Sequence, residues 1–406
     1  MSDQKITWID GGVTAPKGYR ASGVAAGIKP KSTKRDCALI VSDTPATLAG
    51  MFTTNIMRSA PVEWNAACCA MGMGRAVFIN SGNANAVTGD QGHADTRATA
   101  AAIAEALACT PEEVAVCSTG VIGVPLPMDR ILNGVRDSHA ALEPTGSHEA
   151  AQAIMTTDTV PKEVAIEVAL TGGTVRIGCI AKGSGMIAPN MATMIAIITT
   201  DAAVASVEWA QWLREATATS FNAICIDNDM STSDTVLAFA NGQAGLPVIE
   251  PGSPDAEAFR AALTALCEET AKRLVRDGEG ATKLVAVEVS GTATDDEAKT
   301  VCRAIAHSQL CKTAFFGEDP NWGRFACAVG YAGVGFEPGC LSIWLDEVQL
   351  LRDGQPTGYA EADAAAVMKK PEFILRVRVG DAPGQARFWT SDLSHEYVSI
   401  NADYRT

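Results

Sequence analysis

The segment Lys182-Gly183-Ser184-Gly185-Met186-Ile187-Ala188-Pro189-Asn190-Met191-Ala192-Thr193-Met194 joins a glycine-rich loop and a Pro-Asn turn to a hydroxyl residue that opens an apolar run. A hydroxyl so placed can act as a nucleophile if a base takes its proton. On pattern alone, Thr193 reads as an ordinary β-branched strand residue. Common catalytic patterns are absent: there is no G-x-x-x-x-G-K-[ST] phosphate loop, no complete G-x-G-x-x-G, no H-E-x-x-H and no G-x-S-x-G elbow. His93, His139, His148, His307 and His395 lie in separate segments without metal-like spacing, so they read as surface or structural residues. Nothing specific supports a Ser-His-Asp triad. The 12 cysteines include the adjacent Cys68 and Cys69 but no C-x-x-C pair, which points to reduced thiols rather than a zinc or disulfide framework. The expectation is a site with no metal and no cofactor.

Such a site needs a scaffold. At 406 residues the chain has room for about two or three domains and a full core without staples. Hydrophobic residues at 47% against 19% charged, with few aromatics and much glycine and alanine, favour closely packed α/β layers over disorder. The formal charge of -15 argues against nucleic acid as a partner, because phosphate contacts need a dense Lys/Arg surface. The basic run Lys29, Lys31, Lys34 and Arg35 could meet coenzyme phosphates but reads better as a solvated loop. Met1 to Lys5 lack the apolar core of a signal peptide. The longest apolar run, Met186 to Ile198, contains Pro189 and Asn190 and falls short of the about 20 residues a membrane span needs. A cytoplasmic protein with small-molecule substrates and no membrane partner is expected.

Helical spacing predicts a helix over Ala94 to Ala108, a capped turn at Thr110-Pro111-Glu112-Glu113, and a helix capped by Ser147 through Met155. Val114 to Cys117 reads as a strand entering a turn at Ser118-Thr119-Gly120, and Thr156 to Thr159 as a loop. Two β-branched runs between Glu163 and Ile180 flank Thr171-Gly172-Gly173-Thr174, a hairpin signal; Ala181 to Gly185 reads as a flexible polar loop. Thr193 to Thr199 reads as a strand buried on both faces. Helices follow at Val207 to Thr219 and Asp255 to Val275, then strands at Lys283 to Val289, Leu341 to Leu345 and Phe373 to Val379. Without strict βαβ alternation, a layered α/β or α+β architecture is expected, with a boundary at Asp277-Gly278-Glu279-Gly280.

Long stretches of the chain resemble one known family. They run from Gly12-Val13-Thr14-Ala15-Pro16-Lys17-Gly18 through Asn80-Ser81-Gly82-Asn83-Ala84-Asn85-Ala86 and Ser118-Thr119-Gly120-Val121-Ile122-Gly123. The segment around Thr193 and Asp319-Pro320-Asn321-Trp322-Gly323-Arg324 continue the match to the end. The chain resembles the ornithine acetyltransferase (glutamate N-acetyltransferase) family throughout. The resemblance implies that the bond between Ala192 and Thr193 is broken by the protein itself and that Thr193 becomes an N-terminal nucleophile. Its freed α-amino group, with a reference pKa of about 7.7 to 8.0, could then serve as the base, so that no histidine is required. Thr119 and Gly120 would form the oxyanion site. Thr157, Lys182, Thr193, Glu279, Asn401 and Thr406 would bind the substrate, Lys182 suiting an α-carboxylate and Glu279 an ammonium.

The same resemblance implies a layered αββα-type sandwich of two central sheets covered by helices. Residues 1–192 would form an α chain and 193–406 a β chain, with a smaller C-terminal subdomain over about 281–406. The chains would assemble as a heterotetramer of two α and two β. The implied reaction carries an acetyl group from N-acetylornithine to glutamate in arginine biosynthesis, with acetyl-CoA as a potential second donor. An uncleaved amino-acid-binding protein and an N-terminal-nucleophile aminopeptidase are the alternatives.

Overall fold

The computed structural model describes residues 6–29, 32–188 and 194–403. The chain opens with β1 (Ile6–Ile9), β2 (Tyr19–Val24) and the long β3 (Cys37–Phe52). Pro61 stands in the first turn of α1 (Ala60–Met71), where its missing N–H costs no helical bond, and the chain then enters β4 (Met73–Asn83). The alanine-rich run forms α2 (Gly89–Leu107), and a reciprocal Thr110–Glu113 cap leads into β5 (Val114–Val121). Next come α3 (Met128–Ala140), α4 (Ser147–Ala153) and the hairpin of β6 (Lys162–Leu170) and β7 (Gly173–Lys182). They are followed by β8 (Ile195–Thr200), α5 (Ser206–Ala218), the short β9 (Ile224–Cys225) and β10 (Thr235–Ala240). Ser253 caps α6 (Pro254–Arg276) by accepting the Ala256 N–H.

The remainder contains β11 (Leu284–Gly291), α7 (Asp295–His307), α8 (Gln309–Phe316), α9 (Trp322–Gly330), β12 (Ser342–Leu345) and β13 (Val348–Arg352). It closes with β14 (Gln355–Pro356), α10 (Glu361–Met368), β15 (Glu372–Arg378), β16 (Ala382–Ser391) and α11 (His395–Asp403).

Among the described residues, nine strands make one sheet in the order β1-β6-β7-β8-β10-β3-β4-β5, with β2 also on β3. The register between β3 and β4 shifts between Val41 and Ala46, and β3 serves two arms of the sheet: its residues 37–42 pair with β2 and its residues 47–52 with β10. Strand alternation sorts the side chains of both arms. Ile195, Ile197, Leu237 and Phe239 share one apolar layer with Ala38, Ile40, Val77, Ile79, Ala115 and Cys117, closed by Ala150 of α4 and Ile154 just after it. On the outer face of one arm, Ala196, Ile198 and Val236 pack against Trp209 of α5 and Phe259 of α6. On the outer face of the other, Leu39, Phe78 and Val116 meet Ile103 of α2 and Ile131 of α3. The layers thus run helix, strand, strand, helix, and a cavity left by Ile197→Ala in the middle would cost about 2–5 kcal/mol.

Seven more strands among the described residues form a second sheet in the order β14-β13-β12-β15-β11-β16-β9. β9 joins it from the segment before α6 by pairing parallel with β16. α6 packs against β6 and β7 of the first sheet and against β16 of the second, while α7 covers β11 and β16. Both sheets therefore hold the loop that follows α6.

Three expectations need correction. Ser118-Thr119-Gly120 does not turn; it extends β5 in parallel register with Asn80-Ser81-Gly82, where Ser118 Oγ donates to Asn80 Oδ1 at 2.6 Å. Gly120 has φ 132°, and a Cβ there would lie 2.4 Å from the Gly82 carbonyl carbon, so both its conformation and the strand contact require glycine. Second, Ala181 to Gly185 is not a flexible polar loop: Lys182 ends β7 and is buried, as is Ser184, and the Gly183 N–H is bonded to Asp158 at 2.7 Å. Third, Ser147 is the first helical residue of α4 after Gly146, and its Oγ accepts the Val13 N–H at 3.1 Å instead of capping the helix.

Candidate active site

Six of the residues singled out by sequence come together. Thr119 and Gly120 at the end of β5, Thr157 after α4, Lys182 at the end of β7, Glu279 after α6 and Asn401 on α11 line one cavity of about 260 Å³. Met186, Asp227, Thr232 and Tyr397 also line it. Ala192, Thr193 and Thr406 lie outside the described residues. So does the first residue of the strand expected from Thr193 on; β8 is described from Ile195.

Lys182 is 3% exposed and Thr119 is 6% exposed. The Lys182 ammonium donates to Thr119 Oγ1 at 3.4 Å, which leaves the hydroxyl hydrogen free to point elsewhere. Burial pushes the Lys182 pKa down, and Asp158 partly restores it. Asp158 is the anchor of this corner. It accepts hydrogen bonds from Lys162 Nζ at 2.6 Å, the Gly183 N–H at 2.7 Å and the Thr156 N–H at 3.0 Å. Burial raises its pKa, but Lys182, Lys162 and the Gly183 N–H outweigh that effect and hold the carboxyl at about 2. Lys162 also reaches Asp277 at 2.5 Å, and Asp277 accepts from the Thr159 N–H at 3.1 Å and from the Thr159 hydroxyl. The loop expected at Thr156 to Thr159 is therefore pinned by buried charge. Thr157 Oγ1 in turn shares a hydrogen bond with Ser184 Oγ at 2.7 Å.

The opposite wall carries acids. The Glu279 N–H donates to the Ser184 carbonyl at 2.7 Å, and its Oε2 accepts from Asn401 Nδ2 at 2.8 Å. A Cβ on Gly185 would sit 2.5 Å from this carboxylate and would push the Glu279 side chain aside. Asp227 receives the N–H groups of Met186 at 2.6 Å and Ile187 at 2.8 Å, together with the Tyr397 hydroxyl at 3.2 Å. Burial raises the Asp227 pKa. The tail from His395 to Asp403 is thus helix α11, fastened over the cavity through Tyr397 and Asn401.

Asp158, Asp227, Tyr397 and Met186 escaped the reading of the sequence, since an Asp among polar neighbours carries no signal of burial. Lys29, read as part of a solvated basic loop, turns its Nζ to the Met155 carbonyl at 2.8 Å, while Lys31 is outside the described residues. Burial holds the pKa of His307 down at about 4, and His148 bonds Glu163 at 2.8 Å; neither lines the cavity. Among the described residues no group of three or more His, Cys, Asp or Glu could hold a metal, and no helix is long and apolar enough to cross a membrane.

One small cavity thus carries a buried ammonium and hydroxyl on one side and carboxylates on the other. The chain belongs to the ArgJ family, whose profile matches residues 20–406. It is 50% identical over 402 residues to the arginine biosynthesis bifunctional protein ArgJ of Symbiobacterium thermophilum, covering 99% of this chain and 100% of the relative. The protein of the same name from Gloeobacter violaceus is 46% identical, covering 98% of this chain and 99% of that one. Among solved structures, arginine biosynthesis bifunctional protein ArgJ of Bacillus halodurans matches with 39% identity and a TM-score of 0.49, over 51% of this chain and 97% of the solved chain. Ornithine acetyltransferase of Mycobacterium tuberculosis, crystallised with ornithine, matches with 48% identity and a TM-score of 0.43, over 46% of this chain and 98% of that chain.

Proposed function

We propose that this protein is an acetyltransferase of arginine biosynthesis that carries the acetyl group of N-acetylornithine to glutamate by way of an ester on Thr193, giving ornithine and N-acetylglutamate. ArgJ family membership supports the reaction class. The observation that carries the site assignment is the convergence of Thr119, Gly120, Thr157, Lys182, Glu279 and Asn401 on one cavity.

In this reading maturation is an N-to-O acyl shift. Thr193 Oγ attacks the Ala192 carbonyl carbon, the C–N bond breaks, and the hydroxyl proton passes to the nitrogen. Water then cleaves the ester, restoring the hydroxyl and releasing the Ala192 carboxyl group, whose proton passes to the new amine. In turnover that amine, when neutral, accepts the Thr193 hydroxyl proton as Oγ attacks the acetyl carbonyl and returns it to the departing ornithine amine. The Gly120 N–H and the Thr119 hydroxyl, the latter oriented by Lys182, would stabilise the oxyanion. The remaining Lys182 N–H groups suit an α-carboxylate and Glu279 an α-ammonium, both shared by ornithine and glutamate. The mature protein would comprise chains 1–192 and 193–406, with the C-terminal subdomain over about 281–406 inside the second, assembled as a cytoplasmic heterotetramer of two α and two β. No cofactor is needed; acetyl-CoA would enter only as a second acetyl donor.

N-terminal sequencing of the purified protein tests the assignment. A chain beginning at Thr193, absent in Thr193→Ala, is expected together with ornithine release from N-acetylornithine. A single uncut chain that binds amino acids without turnover would identify a binding protein, and peptide hydrolysis in place of acetyl transfer an aminopeptidase.

A further inference from the structure

Asn80 to Ala86, the end of β4 and the turn after it, take no part in the acetyl transfer, and of them only Ala84 lines the cavity. They lie instead against the strand that ends in Thr119 and Gly120. Asn80 pairs with Ser118, Ser81 with Thr119 and Gly82 with Gly120; the register then breaks, so that Asn83 pairs with both neighbours of Gly120, Thr119 and Val121. The Ala84 N–H adds a bond to the Val121 carbonyl at 3.0 Å. A side chain holds this irregularity from inside. Asn80, 1% exposed, donates from Nδ2 to the Asn83 carbonyl at 2.9 Å and accepts from Ser118 Oγ at 2.6 Å.

The chemistry of an amide fixes the direction of both contacts. A carbonyl can only accept, so the end of Asn80 that faces Asn83 must be its NH2 group and the end that faces Ser118 its oxygen. The Ser118 hydroxyl is therefore the donor, and its hydrogen has one direction. A buried amide engaged at both ends ties the residue before Thr119 to the residue that straddles Gly120, across two strands. We propose that Asn80 is a positioning residue of the oxyanion site: it touches no substrate, yet it sets the placing of the Thr119 hydroxyl and the Gly120 N–H at the cavity wall. The inference rests on the reading in which those two groups receive the oxyanion. Donors of this kind act only when aimed at the point where charge develops, so a small displacement lowers the rate of reaction more than it lowers binding.

The test is Asn80→Leu, alone and combined with Thr119→Ala, with turnover of N-acetylornithine and glutamate counted per chain that begins at Thr193. Leucine keeps the branched shape but neither donates nor accepts. In Asn80→Leu, kcat is expected to fall on the order of tenfold to a hundredfold, with KM for both substrates within about twofold of wild type. Because Asn80 acts through Thr119 and Gly120, its loss should shrink once Thr119 is alanine: the double variant should be slower than Thr119→Ala by less than the factor measured for Asn80→Leu alone. An unchanged kcat, with or without a change in KM, or losses that multiply in full, would overturn the proposal and leave Asn80 a structural residue. A Thr119→Ala protein that turns over at the wild-type rate fells the oxyanion reading itself, and the proposal with it. Should Asn80→Leu fail to fold or to be cut, Ser118→Ala, which removes only the hydroxyl donor, is judged by the same outcomes.

Discussion

Ion pairs occur both beside the cavity and on the open face of the second sheet, yet they are different objects. In the first region Lys162 bridges Asp158 and Asp277, with side chains 1%, 0% and 5% exposed. In the second, Glu288 lies between Arg376 at 3.1 Å and Arg387 at 2.6 Å, with arginines 37% and 53% exposed. Water screens the second group and lets each member stand alone. The first cannot lose a member without stranding a buried charge, which makes it a device for holding Thr156 to Thr159 and Gly183 in one place.

The sharpest way to break this contrast is Lys162→Met, which removes the cation that bridges two buried carboxylates. It should cost about 3–5 kcal/mol of stability in urea denaturation. A loss under about 1 kcal/mol would show that the triad is as loosely coupled as the surface pairs. Thr119→Ala comes next: in fully cut protein, acetyl transfer should slow on the order of a hundredfold or more, with substrate affinity changing less. An unchanged rate would remove Thr119 from the oxyanion site.

A smaller effect concerns acid. The folded pKa of Asp158, about 2, lies below the reference value near 3.9 for an unfolded chain. Its contribution is therefore fully present above the unfolded value and lost as pH falls through the folded one. On the order of 2–3 kcal/mol should disappear between about pH 4 and pH 2. Comparing wild type with Asp158→Asn across that window isolates the group; parallel curves would refute it. Smallest of all, Arg376→Ala should change stability by less than about 1 kcal/mol, and less still in high salt.

The same contrast explains what could be read in advance. The β6–β7 hairpin was legible because two β-branched runs flank Thr171-Gly172, and α5 and α6 because apolar residues recur at helical spacing; such signals are local. The strand at Ser118 to Gly120 was not, since its pairing partner lies in β4 and no local pattern announces it. Thr119, Thr157, Lys182, Glu279 and Asn401 stand on five separate segments of the chain, so only resemblance to a family could group them before the fold did. Asp227 stayed hidden for a related reason. It takes its meaning from backbone N–H groups about forty positions earlier, 41 for Met186 and 40 for Ile187.

The central claim, a nucleophile at Thr193 that serves two substrates in turn, is tested most directly by giving mature protein N-acetylornithine without glutamate. About one ornithine per site should appear in a burst, the peptide beginning at Thr193 should gain one acetyl mass, and added glutamate should remove it. Steady turnover with no acetylated peptide, together with intersecting double-reciprocal plots for the two substrates, would contradict the account and place the transfer in a ternary complex.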